Sequence, residues 1–204
     1  MSTQIEDLSC ALTDVRRAYR LLQVYHRRLC DLLHAIDETL RAEGMEFSRW
    51  EPKNVARLPK ATKPFFGPDR WAWELTPAYQ VECIWDLATK GRARRVIVEA
   101  IGDSGYNPVD DGEPDPARFM DESQAATELH LGLWSAPTKR IDWDAARAVL
   151  ERMQGWDQEG AQTLVVGGVD VRFQRLRVDL AQLVDVQAEH EKITGPLESW
   201  LRQG

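Results

Sequence analysis

Apolar residues in the first fifth of the chain recur at alternating steps of three and four. They are Ile5, Leu8, Leu12, Val15, Tyr19, Leu22, Leu29, Leu33, Ile36 and Leu40, with His26 filling the one polar step. That spacing is a heptad seam, the pattern of a helix presenting one stripe to a partner. Neither proline nor glycine interrupts it. Thr3-Gln4-Ile5-Glu6 has the spacing of a capping box, and Gly44 suits the left-handed position just past a helix end. The pattern predicts one helix over residues 4–43, ~60 Å long at ~1.5 Å per residue. Ala11, Ala18, Tyr25 and Leu32 add a third apolar column, so the face is broader than a two-stranded seam requires. A face of this size is not left in water. Its occupant is expected to be the chain's own C-terminal elements, a second copy, or a different protein. His26, at a core position, reads as a hydrogen-bonded edge residue, a register-setting polar residue or a pH-sensitive one.

From Phe47 to Pro77 the periodicity dissolves. Pro52, Pro59, Pro64, Pro68 and Pro77 punctuate it, yet Trp50, Phe65, Phe66, Trp71 and Trp73 are too apolar to sit together in water. This stretch is expected to be a connector wrapped on the core, or else an aromatic pocket. Strict alternation then marks a half-buried strand over 79–88, with Tyr79, Val81, Cys83, Trp85 and Leu87 on one face. A turn at Thr89–Arg92 leads to a second strand over 93–101. An acidic loop fills 103–123 and a third strand 126–134. Asp142 opens an amphipathic helix that Gly155 stops. Gly167-Gly168 sits between two β-rich runs as a hairpin signal. Residues 180–194 read as a helix broken by Gly195-Pro196, with a last turn at 197–201. The order predicts an α+β fold: a long coiled-coil-like N-terminal helix, an antiparallel sheet of about four to five strands, one intervening helix and a C-terminal helix. The expected organisation is 1–46 helix, 47–77 connector, and 78–204 sheet domain.

Composition narrows the partners. The chain's 204 residues carry 26 Lys+Arg against 33 Asp+Glu, a net charge of -7. Duplex binding draws its affinity from a basic excess, so nucleic acid is disfavoured, and no apolar run is long enough to span a membrane. The first residues show no basic stretch ahead of an apolar one, so a signal peptide is not expected and the cytoplasm of a bacterial-type cell is the default. Cys10, Cys30 and Cys83 are too few and too scattered for a disulfide framework or a zinc site.

Candidate chemistry is sparse. Phosphate-loop, nucleophile-elbow and HExxH motifs are missing. Asp111, Glu113, Asp115 and Glu122 match calcium-loop positions, but Pro116 stands where the sharp turn needs glycine, which argues against an EF-hand. Pairing 79–88 with 93–101 through the short turn sets Asp86 opposite Arg95, Ile84 opposite Ile97 and Glu82 opposite Glu99. Glu128 and His130 on the third strand would join them. Glu82, Glu99, Glu128 and His130 are therefore candidate general acid–base or metal-binding residues. Lys90, Arg92, Arg94 and Arg95 cluster at the turn as a candidate patch for an anionic partner.

The reading adopted is a non-catalytic interaction protein, immunity-, antitoxin- or inhibitor-like by analogy. It needs no cofactor or metal, and it associates through residues 5–40 with a second copy or a basic protein. The alternatives are a metal-dependent hydrolase using the carboxylate–histidine group, and an accessory nucleic-acid binder using the Lys90–Arg95 turn.

Overall fold

The computed structural model describes residues 2–53, 79–89, 91–105, 116–155, 158 and 160–203, with side chains from residue 7 onward. Among the described residues, six strands form one antiparallel sheet: β1 (Glu46–Lys53), β2 (Gln80–Thr89), β3 (Arg92–Ile101), β4 (Glu128–Ala136), β5 (Ala161–Val166) and β6 (Val169–Asp179). Their spatial order is β1-β2-β3-β4-β6-β5. The β2–β3 register sets Asp86 against Arg95, Ile84 against Ile97 and Glu82 against Glu99, as the turn predicts. The architecture is α+β.

The sheet has one strand more than the alternation suggests. It is β1, which takes up the first part of the stretch expected to be an irregular connector. Among the described residues β1 is an edge strand, a place where Pro52, lacking an N–H donor, is tolerated. A bulge between Phe47 and Arg49 breaks the alternation that would have revealed it. The remainder of the expected connector, 54–77, falls outside the described residues, as do Asp111, Glu113 and Asp115.

Each sheet face carries its own core. On one face, Val81, Cys83, Trp85, Val96, Val98, Leu129, Leu131 and Leu133 pack under the C-terminal half of α1 (Ser2–Ala42) and the C-terminal helices. On the other, Ile84, Ile97, Trp134 and Phe173 pack under Ala146 and Leu150 of α2 (Trp143–Arg152). Central strand β4 is therefore buried on both sides. The α1 terminus is closed by paired hydrogen bonds: Gly44 N–H donates to the Arg41 carbonyl and Met45 N–H to that of Leu40. Gly44, at φ 79°, supplies the left-handed residue this motif requires. Asp142 caps α2 by accepting from the backbone N–H groups of Asp144 and Ala145. Residues Gly167 and Gly168, both at positive φ, make the β5–β6 turn.

The C-terminal segment departs from expectation. A short 3-10 turn occupies Leu180–Gln182, and the helix begins only at α3 (Val186–Glu189), capped by Asp185. Gly195-Pro196 does not break it. A π-helical turn over His190–Thr194 carries the chain into α4 (Gly195–Gln203), with Gly195 N–H donating to the His190 carbonyl. The wider turn shifts the hydrogen-bond ladder just where Pro196 lacks a donor. No helix among the described residues is long and apolar enough to cross a membrane.

Candidate functional site

The heptad stripe divides in two. From Leu29 onward it is spent within the chain: Leu29, Leu32, Ile36 and Leu40 are buried on the sheet, with Leu33 packed alongside. Of the residues expected to form an interface, those of the C-terminal half are covered within the chain and those of the N-terminal half are not. There Leu8 is 61% exposed, Leu12 47%, Val15 48% and Tyr19 61%. Leu22 is half-buried, and the side chain of Ile5 lies outside the described residues. His26 stands at the junction. It is half-buried beside the Tyr25 ring, and its Nε2 has no hydrogen-bond partner among the described residues. Arg28 locks the junction by donating to Glu189 at 2.5 Å and to the Leu183 carbonyl at 2.9 Å. Residues 7–24 thus form an arm ~27 Å long at ~1.5 Å per residue.

Glu82, Glu99, Glu128 and His130 do share one sheet face, the one beneath α2. A transverse row runs Glu51–Glu82–Glu99–His130–Arg177 across β1, β2, β3, β4 and β6. Each buried carboxylate in the group already has a cation. Glu82, 1% exposed, accepts from Lys53 at 3.1 Å on one oxygen and from Arg147 of α2 at 2.7 Å on the other. Glu128 accepts from Arg177 at 2.5 Å and from His130 Nε2 at 2.8 Å. Glu99 accepts from the Gln80 amide at 2.7 Å. Arg175 lies 2.8 Å from His130 Nδ1. A guanidinium only donates, so Nδ1 is the acceptor and Nε2 carries the proton given to Glu128. Burial pushes the His130 pKa below its ordinary value, against the pull of Glu128, and the neutral ring matches that geometry. For Glu128, burial opposes ionisation, but the hydrogen bonds from Arg177 and His130 outweigh it and hold the pKa down. No group of three or more His, Cys, Asp or Glu among the described residues is placed to hold a metal. What the arrangement does physically is bind α2 to the sheet through the Arg147–Glu82 pair.

The turn cluster is split by the pleat. Arg95 faces α2, where it makes a two-pronged pair with Asp86 at 2.7 and 2.9 Å and lies 5.6 Å from the Trp143 ring centroid. Arg92 and Arg94 point to the opposite face, and Lys90 falls outside the described residues. Arg94 is buried, with its guanidinium over the Trp200 ring. Arg172 of β6 joins them from across the sheet, because Arg94 pairs with Ser135 and Ser135 with Arg172. Sequence reasoning missed Arg147 and Arg172. Both act across elements, and only the β4–β6 register and the seating of α2 bring them in.

The family model described as PM0109 matches residues 5–194, and the chain belongs to that family. No curated protein and no solved structure matches it.

Proposed function

We propose that this member of the PM0109 family is a non-catalytic assembly protein, whose projecting α1 arm pairs antiparallel with the arm of a second copy. One observation carries the reading. A single heptad register runs through α1, its C-terminal half is buried in the chain, and Leu8, Leu12, Val15 and Tyr19 of the other half face water. Large side chains at core heptad positions gain stability only when covered.

The charge distribution favours a second copy and sets its direction. Residues 1–15 contain Glu6, Asp7 and Asp14 and no lysine or arginine, whereas residues 16–28 contain Arg16, Arg17, Arg20, Arg27 and Arg28 and no acid. A parallel pair would set like charges side by side. An antiparallel pair sets the acidic zone of each arm beside the basic zone of the other. With Leu12 level with the second copy's Val15, Leu8 meets Tyr19 and Asp7 comes level with Arg20. Ala11 and Ala18 flank this seam and let the helices approach closely. The three thiols are free, as suits a reducing compartment such as the cytoplasm.

The test is cross-linking in a background with Cys10 and Cys30 changed to serine. The variants Leu8→Cys and Tyr19→Cys, mixed, give a disulfide heterodimer under this proposal, while each alone stays uncrosslinked. Cross-linking of each variant only to itself would indicate parallel pairing and sink the antiparallel arrangement. A chain that stays monomeric throughout would sink self-association altogether.

A further inference from the structure

Among the described residues Arg94 is a buried cation in no ion pair, with Glu43 acting on its charge only from a distance. Its side chain is 4% exposed, and its Nε and Nη2 have no hydrogen-bond partner among the described residues. The Trp200 ring, 5.2 Å away, covers one face of the guanidinium. A ring face compensates a buried charge only in part; the remaining cost is met when an anion joins it. Around Arg94 the sheet collects further donors. Arg94, Ser135, Arg172 and Thr163 form one transverse row over β3, β4, β6 and β5. Arg92 shares the face of Arg94, two residues along the strand.

The Ser135, Arg172 and Thr163 end of the row opens into a cleft of ligand size. Arg94 lines only a narrow gap of about 10 Å³, room for one water, with Ser135, Arg172, Trp200 and Gln203. The gap shares Ser135 and Arg172 with a cleft of about 440 Å³, also lined by Arg92, Pro137, Thr163 and Asp170. That volume lies in the range of small-molecule sites, ~300–1,000 Å³. Among the described residues lining the cleft, Asp170 is the one acid, set against Arg92 and Arg172.

We propose that this cleft binds a small phosphorylated molecule, with the phosphate between Arg92 and Arg172 at the mouth of the gap behind which Arg94 lies, and the organic part in the rest of the cleft. The Arg92 and Arg172 guanidiniums and the Ser135 and Thr163 hydroxyls offer more donors than the two oxygens of a carboxylate can accept, and the Arg94 charge behind them adds attraction. A dianionic phosphate, with three terminal oxygens, matches the set. The site stands on the opposite sheet face from the Glu82–His130 row and makes no use of the α1 arm, so it holds whatever the oligomeric state.

Calorimetric titration of the full chain with phenyl phosphate tests it, with inorganic phosphate and benzoate as comparators at matched ionic strength. The expected result is one site per chain, with phenyl phosphate bound tighter than inorganic phosphate and benzoate weaker by about tenfold. The exposed Arg172→Gln change keeps the fold and weakens phenyl phosphate by about tenfold, as loss of a charge-assisted pair requires. In the parent, the Arg94 Nε–H signal sharpens and shifts in nitrogen-15 spectra only when phosphate is added. Benzoate binding as well as phenyl phosphate, an Arg172→Gln titration matching the parent's, or no binding heat from either phosphate would each overturn the proposal.

Discussion

Leu12→Ala separates the two halves of α1 most cleanly. Leu12 is 47% exposed and belongs to neither core, so its truncation leaves the folded monomer intact. In a paired arm that exposed share is covered. The change removes three carbons, ~0.8 kcal/mol each on full burial, which at about half of full burial gives ~1.1 kcal/mol per copy. A dimer contains two copies, so the loss is ~2.3 kcal/mol, or roughly 40-fold in the dissociation constant. Sedimentation equilibrium over a dilution series reads this directly, and urea unfolding of the monomer at high dilution supplies the control. The same truncation at Ile36, 0% exposed under the sheet, should do the reverse. It costs roughly 2–5 kcal/mol of folding stability through the cavity it leaves. If Leu12→Ala left dimerisation within about twofold of the parent, or lowered monomer stability by ~2 kcal/mol, the reasoning about the arm would be refuted.

Further outcomes follow from the sheet and the C-terminal segment. Glu82→Leu leaves Arg147 and Lys53 facing an uncharged site and should cost ~3 kcal/mol, while adding Arg147→Met should recover much of it, as urea midpoints will show. Stability should also fall with acid in two stages. Because the fold depresses the His130 pKa, the unfolded chain takes up a proton first, so stability drops as the pH falls below the ordinary histidine value of 6.5. Glu128 is likewise depressed, so its contribution is full above the ordinary value of 4.5 and is lost as the pH falls through its folded pKa. His130→Gln should flatten the first stage and leave the second, by urea midpoints measured across that range. Gly195→Ala should destabilise by roughly 1–3 kcal/mol, since an added methyl would meet the His190 carbonyl oxygen at 2.7 Å; thermal melting checks it.

Local patterns carried most of the fold. The α1 heptads, the Gly44 terminus, the Asp142 cap, the Gly167-Gly168 turn and the Glu82–Glu99 register each follow from a few neighbouring residues. What escaped was set by longer-range or compensated effects. β1 is masked by its bulge and by Pro52, which an edge position tolerates. The helix across Pro196 continues because the π turn from His190 absorbs the missing donor. In the candidate chemistry, alternation placed Glu82, Glu99, Glu128 and His130 on one face. It could not place Arg147, Arg177 and Arg175 against them, since that depends on where α2 sits and how β6 registers on β4. Splitting of the basic turn was legible in principle, because Arg94 and Arg95 are neighbours on a strand and must face opposite ways. The burial of Arg94 under Trp200 was not.

The solution mass, by light scattering coupled to size exclusion at two protein concentrations, bears most directly on self-association through the arm. A particle of twice the 23.3 kDa chain mass, giving way to monomer on dilution and in Leu12→Ala, is the expected result. A monomer at both concentrations, with Leu8, Leu12, Val15 and Tyr19 all intact, would contradict it.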